Sequence, residues 1–547
     1  MNKWASLILL SGLCFSTVKG QNPKATTKDT LKPTAPAIAN GSKLIEFLSA
    51  EVYNVKKMDS MDYLILVGHV KIRQGKTLLY GDSIILNTTL NTLEDFGNVH
   101  INDADSVNIY ANYLKYIGAT KKAFLRKKVK LTDGKGVLTT DSLDYDVNSK
   151  LGSFKNGGKL VRNKTVLTST EGLYYGETRD VIFRKKVELV DPENNIITDT
   201  LEYNTYSQLT NFLSPSKIIT GSRVISTSNG NYNTGTRKGY MYDRSNIDDS
   251  TYHFIADEMA VDDSLEMGEF KGNAIYTSKD TLGFDLMANN IKANKQKSTF
   301  LATENPLLLI KQKKDTLYIA ADTLYAGKIS DLKRKIPNAR DSVGVITDTT
   351  LDKYFEAYHH VKIYSDSLQG KADSLFYSMS DSTIRLISDP IIWANNNQIT
   401  GDTLYLFVKN KKPEQLYVFE NAFAINKIDT SIYYNQLKGN KLNVWFEEGE
   451  IHKMSAKGNA ENIYFPLDND KDFIGVNHSN AQIIEVYFEN TEPAKVVFKN
   501  QLVGKMTPLN QTPKEELIIR GFKYQENLRP KSKFELIKLP SPALNKP

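Results

Sequence analysis

Gly97-Asn98-Val99-His100-Ile101 and, ten residues on, Ala111-Asn112-Tyr113-Leu114 are the two phrases that decide the fold of this chain. The first is a turn followed by an alternating apolar triplet. It returns as Gly68-His69-Val70-Lys71-Ile72, Lys128-Val129-Lys130-Leu131, Lys186-Val187-Glu188-Leu189 and His360-Val361-Lys362-Ile363. The second returns as Gly81-Asp82-Ser83-Ile84, Thr140-Asp141-Ser142-Leu143, Thr198-Asp199-Thr200-Leu201, Ala321-Asp322-Thr323-Leu324, Ala372-Asp373-Ser374-Leu375 and Gly401-Asp402-Thr403-Leu404. Both keep a spacing of about 29 residues. A fixed period of that size marks a stacked architecture in which each unit buries its apolar face against its neighbours. Strict alternation marks strands that are buried on one face and wet on the other. Val70, Ile72, Val99, Ile101, Val129, Leu131, Val187 and Leu189 fall on the buried side, and the intervening Lys, His and Glu on the wet side.

Turn-forming runs such as Asn148-Ser149-Lys150-Leu151-Gly152 and Lys155-Asn156-Gly157-Gly158 join the strands, and no amphipathic helix stands out beyond the first fifty residues. The expected fold is all-β and elongated. Degenerate copies near 171 and 228 arrive on schedule, and the period is interrupted between Asp322 and Asp373. The reading therefore divides the chain into 1–20, a signal peptide; 21–42, a flexible leader; 43–330, a first β-stack; 331–355, an inserted loop or joint; 356–504, a second β-stack; and 505–547, a Pro-rich charged tail. The tail's prolines oppose further strand pairing, so it is expected to cover the final rung or bind a partner.

The signal peptide rests on the apolar run Trp4 to Phe15, with Lys3 before it and Val18-Lys19-Gly20 after it. That run is too short to span a bilayer. Cys14 is the only cysteine, so the expected mature chain, starting near Gln21, has no disulfide and no cysteine metal site. The formal charge of +7 falls to +5 once Lys3 and Lys19 are removed, leaving 68 basic against 63 acidic residues spread along the whole chain. A nucleic-acid partner would call for a denser basic stripe interleaved with aromatics. None is expected.

Chemistry-bearing constellations are scarce. His69, His100, His253, His359, His360, His452 and His478 are scattered, with no His-Glu-x-x-His pairing and no serine nucleophile elbow. His359-His360, read as part of a strand, would point to opposite faces. The repeated Asp82, Asp141, Asp199, Asp322, Asp373 and Asp402 supply one carboxylate per unit, which suits hydrogen bonding to turn amides better than calcium, which needs several oxygens per site. No catalytic residue, metal or cofactor is expected. Tyr116, Tyr145, Tyr175, Tyr203 and Tyr377 follow the aspartates and are expected at a groove mouth, half buried with wet hydroxyls.

A signal peptide followed by repeats of Gly-x-Val-x-Ile and Ala/Thr-Asp-Ser/Thr-Leu-x-Tyr resembles the OstA-like family, the periplasmic lipopolysaccharide-transport domain shared by the LptA bridge protein and the amino-terminal part of the LptD translocon. The resemblance is densest from about Leu44 to Thr220 and returns from about Tyr354 to Ile425. It implies a folded-over antiparallel sheet, a V-shaped β-jelly roll, in the periplasm of a Gram-negative bacterium. It also implies that lipid A acyl chains of lipopolysaccharide ride in the apolar interior. Other jelly-roll proteins of the bridge or translocon are the implied partners, and open sheet ends add end-to-end self-association. The eight buried-side residues become candidate groove contacts, each open to the alternative of ordinary core. The chain is several times longer than one bridge domain and lacks a carboxy-terminal series of barrel strands, so an extended, non-enzymatic relative is the expectation. The alternative is a secreted or surface structural β-solenoid that binds polysaccharide through exposed aromatics, although the wet triplet positions are mostly Lys, His and Glu. An enzyme on a β-helix would need Asp, Arg or Lys clustered at one rung.

Overall fold

The computed structural model describes residues 45–536 apart from 104–106, 281–282, 312–315, 333–351, 410–411, 429–430 and 469–471. The expected signal peptide, the leader, Cys14 and most of the insert lie outside the described residues. The described residues form antiparallel strands and short 3-10 turns, with no α-helix among them.

Each repeat is one hairpin whose two strands cross both walls of a folded sheet. Thr92–Asp103 runs out and Val107–Ile117 runs back, paired from Thr92 with Ile117 to Asp103 with Val107. The pairing skips between Phe96 and Val99, because Gly97 and Asn98 take φ of 84° and 47°. Two successive residues in the left-handed region make a bulge that turns the strand sharply, and bulges bend the sheet in which they sit. The same pair of positive φ values recurs at Gly68-His69, Lys127-Lys128, Lys185-Lys186, Gly272-Asn273, His359-His360 and Gly458-Asn459. Stacked, these corners form a fold line that divides the sheet into two walls.

At several corners the repeated aspartate sits across from the bend and holds it. Asn98 Nδ2 donates to Asp82 Oδ2 at 2.8 Å, Asn273 Nδ2 to Asp257 Oδ2 at 2.8 Å, and Asn421 Nδ2 to Asp402 Oδ2 at 3.1 Å. The backbone N–H of Asp257, Asp322 and Asp402 also donates to a carbonyl at the facing corner. Left-handed backbone is costly for residues other than glycine, and these bonds offset that cost. His359 and His360 therefore do not alternate across the strand Tyr354–Tyr364 that contains them. They form a corner, bonded at 3.2 Å to Asp373 and at 2.7 Å to Asp322.

The hairpin turns gather in two rows, one at the free edge of each wall, and a continuous apolar core lies between the walls. The stack passes across the interruption in the period: Tyr354–Tyr364 pairs with both Leu317–Ala320 and Thr323–Gly327. The strands on either side of the insert, Thr323–Gly327 and Tyr354–Tyr364, pair with each other, and Ser330 donates to the Asp352 carboxylate beside them.

The first residues of the tail, 505–507, pair on the final rung as part of the strand Val503–Thr507. The rest leaves it, turns back and crosses the outer face of one wall. Gln436 receives the Ile519 N–H at 2.8 Å and donates to the Leu517 carbonyl at 2.9 Å. Gln398 receives the Gln525 N–H and donates to the Lys523 carbonyl, both at 2.7 Å. Further on, Arg529 donates to Gln369 Oε1 at 2.7 Å and to the Asn395 carbonyl at 3.0 Å. A side-chain amide offers the same donor and acceptor as a backbone unit, so the wall reads this strap through its main chain. Under it the alternation disappears. Ile391–Ala394 is buried at every position, and Phe423 and Ile425 face the strap while Ala422 and Ala424 face the core. A strand covered on both faces is apolar on both.

Candidate functional site: the interior and its seam

The eight residues singled out by alternation all enter the core between the walls, and each is 3 % exposed or less. In this conformation they are packed against side chains of the facing wall.

Beside them runs a column that the period sets four residues after each repeated Asp, Asn or equivalent position. It reads Leu86, Tyr116, Tyr145, Tyr174, Tyr203, Tyr232, then Val261, Ala293 and Ala326, then Tyr377 and Leu406. Tyr145, Tyr174, Tyr203 and Tyr232 are fully buried, and burial raises the pKa of each hydroxyl. The expectation of half-buried rings at a mouth is therefore corrected for Tyr145 and Tyr203. Tyr116 is likewise buried, and the inward residue of the third copy is Tyr174 rather than Tyr175. Ring hydroxyls that reach the far side of the core need a partner there, and several find one on the opposite row of turns.

These contacts close the seam between the two rows. Tyr116 donates to Gln74, whose amide reaches the Gly118 carbonyl at 3.4 Å. Tyr145 donates to Asp103 Oδ2 at 2.9 Å, Thr205 to Asp133 Oδ2 at 2.5 Å, and Arg162 to the Thr205 and Tyr206 carbonyls. Arg237 pairs with Glu193, and Arg223 Nη2 with Asp263 Oδ1 at 2.6 Å. The walls are joined here by side chains, not by a backbone ladder.

Beyond the Arg223–Asp263 pair the seam opens into a cavity of about 580 Å³. Its position follows from the column: where tyrosines would fill the space, Val261, Ala293 and Ala326 stand, all three on the cavity wall. Its floor is aromatic. Phe254 stacks on Phe270 with ring centres 3.7 Å apart, and Tyr276 lies 4.8 Å from Phe300 and 5.2 Å from Phe284. Burial pushes the Tyr276 hydroxyl up to about 12. At the rim, Lys353 Nζ sits 5.7 Å over the Phe284 ring, within cation–π range. Sequence reading missed this site, although the substitutions at 261, 293 and 326 are visible once the column's phase is known.

Two other features bear on function. The outer face carries an exposed ladder, with Tyr80 stacked on His100 at 5.2 Å and His100 on Tyr110 at 4.4 Å, flanked by Lys71 and Lys130. The wet face is thus less uniformly charged than the triplets suggest, but these ring faces are turned on one another. Asp95 is the one acid in an inward column that otherwise reads Leu66, Leu125, Phe154, Phe183 and Phe212. It is fully buried with no well-formed hydrogen bond to either oxygen, and burial, with the nearby Asp82 charge, outweighs the adjacent Phe96 backbone N–H and raises its pKa to about 8. Among the described residues, no three His, Cys, Asp or Glu side chains gather as a metal site would require.

Comparison with known proteins adds a family resemblance. No curated protein matches the chain by sequence. Among solved structures, a local likeness is found to LptH of Pseudomonas aeruginosa, described as the LptA-homologous periplasmic component of the lipopolysaccharide transport device. The identity is 11 %, the TM-score 0.19, and the match covers 25 % of this chain and 82 % of that one. The family model described as OstA-like protein matches residues 42–199 and 185–257, the region of latched seam and tyrosine column, and over that region the chain is similar to the OstA-like family.

Proposed function

We propose that this is a periplasmic protein of lipopolysaccharide transport or outer-membrane assembly that shields lipid acyl chains between its two walls. The observation that carries the reading is one continuous apolar core beneath a seam that side-chain hydrogen bonds close over much of its length. Such bonds contribute about 1 kcal/mol each in net terms, so a seam of this kind can part locally while every strand ladder stays intact. The gain is comparable, since each acyl methylene taken out of water contributes about 0.8 kcal/mol. The similarity to the OstA-like family favours lipopolysaccharide as the lipid and a role without catalysis. Partner docking is supported by the sheet ends: Val52, Tyr53 and Val55 of the strand Val52–Met58 are 60–67 % exposed, and among the described residues that strand pairs only with Met61–Gln74. A related jelly roll or a second copy would extend the sheet there by backbone hydrogen bonds.

A photo-crosslinker at Ile101 or Leu131, inside, should capture lipopolysaccharide, while one at His100 or Lys130, one residue away and outside, should not. Equal capture from both faces, or none from a folded protein carrying lipid, would refute the conduit. The polysaccharide-binding alternative draws on the Tyr80–His100–Tyr110 ladder. Retained binding of a lipid-free polysaccharide, lost on replacing Tyr80 and Tyr110 with Ala, would favour it.

A further inference from the structure

We infer that the cavity on the open part of the seam is a lateral binding site for an acyl chain bearing an anionic head. The inference rests on the lipid-shielding reading but assigns the contact to one place, largely outside the region that matches the family.

Three observations carry it. The void is built by position, not left by loose packing: three successive repeats replace the column's tyrosine with Val261, Ala293 and Ala326, and Tyr377 restores it in the next. A volume of about 580 Å³ lies within the range of pockets that hold small organic ligands. Its walls also differ from its mouth. Phe254, Phe270, Phe284 and Phe300 line the inside and offer no hydrogen bond, so water there gains little and an alkyl chain gains contact. The mouth is mixed in charge, with Lys295 and Lys353 beside Asp249 and Glu266, and the cation placed to meet an anionic head is Lys353. Asp263 is paired with Arg223 and accepts from Tyr232, Asp249 accepts from Ser222 and Thr251, and the third lining acid, Glu266, lies beside Lys295, whose backbone N–H donates to its carbonyl. Among the described residues, Lys295 and Lys353 carry no ion pair. Lys353 stands directly over the aromatic floor, where an acid head would meet its ammonium as the chain enters. Neighbouring stretches of seam are unsuited to the same task, since Tyr145 and Tyr232 there fill the space and latch the rows.

The test uses the full chain and a fluorescent acyl acid, dansyl-undecanoic acid, with its methyl ester as the uncharged counterpart. The native protein should bind the acid with one saturable site, and Val261→Tyr or Ala293→Tyr, which continue the column, should abolish that binding. Exchanging Lys295 and Lys353 for Glu should weaken the acid roughly tenfold and leave the ester nearly unchanged. Circular dichroism checks that each variant folds. Independently of any variant, a diazirine-bearing fatty acid should label native peptides within 247–355. Binding that survives both tyrosine substitutions in folded protein, or labelling confined to other regions, overturns the site. Equal weakening of acid and ester overturns the assignment of the anionic head. The two readings separate cleanly: capture of lipopolysaccharide at Ile101 without labelling at 247–355 removes the cavity alone, and the reverse result removes the conduit alone.

Discussion

Asp95 offers a quantitative prediction because its surroundings define the replacement. Its column neighbours are Leu66 and Leu125, both fully buried, and leucine has the branched outline of a carboxylate side chain. With its folded pKa near 8 against 3.8 when free, the group keeps its proton in the folded chain and loses it in the unfolded chain throughout the interval between them. Stability changes with pH according to the difference in bound protons. Here the unfolded state binds fewer, so the contribution is fully present below about pH 3.8, falls as pH rises toward 8, and is flat above. At about 1.4 kcal/mol per pH unit, the loss accumulated over that interval is on the order of 5 kcal/mol. Asp95→Leu should remove the dependence, so that the variant gains on the native protein steadily between pH 5 and pH 8. A repeat array of this length need not unfold in one step, so hydrogen exchange of residues 77–117 at pH 5, 6.5 and 8, corrected for the intrinsic rate, is the suitable assay. Parallel curves for the two proteins, or a variant less protected at pH 8, would refute the claim that Asp95 is neutral.

Tyr145→Phe removes one seam latch and leaves Asp103 short of a donor, which should cost about 1–3 kcal/mol and raise exchange at residues 103 and 107–117 without changing circular dichroism. Asn98→Ala removes the bond to Asp82 and puts alanine at a φ of 47°, so a loss of roughly 1–3 kcal/mol is expected, read as a lower denaturation midpoint. Replacing Gln398 and Gln436 together with Ala should free the strap, and acrylamide quenching of Trp393, now 1 % exposed, should rise while that of partly exposed Trp445 changes little.

The period and the alternation made the wall strands legible, because burial on one face stamps every second residue. Val99 and Ile101 lie inside, as alternation requires. The corner was harder to see. Gly97-Asn98 reads as a turn between strands, yet it is a bend within one, and only the facing Asp82 reveals the difference. Tyr174 and Tyr175 are chemically equal neighbours, and choosing between them needs the phase of the column. Whether the interior is sealed was not legible at all, since Val129 looks the same in a packed core and in an open groove. What separates the two is a neighbour from another repeat, tyrosine in one place and alanine in another. The strap was hidden for a similar reason: Ile391-Ile392-Trp393-Ala394 shows a strand covered twice, but not that residues more than a hundred positions later supply the second cover.

That late cover imposes an order on the chain's own assembly. Each repeat needs only its predecessor to bury its inner face, so hairpins can add one after another as the polypeptide arrives. The outer face around Trp393, Phe423 and Phe465 must wait for Ile519, Phe522 and Tyr524. Until the last segment is delivered, this part of the molecule carries an apolar surface of the kind that invites misassociation. A chain cut short by thirty residues would therefore keep every strand it needs and still emerge with an exposed apolar flank.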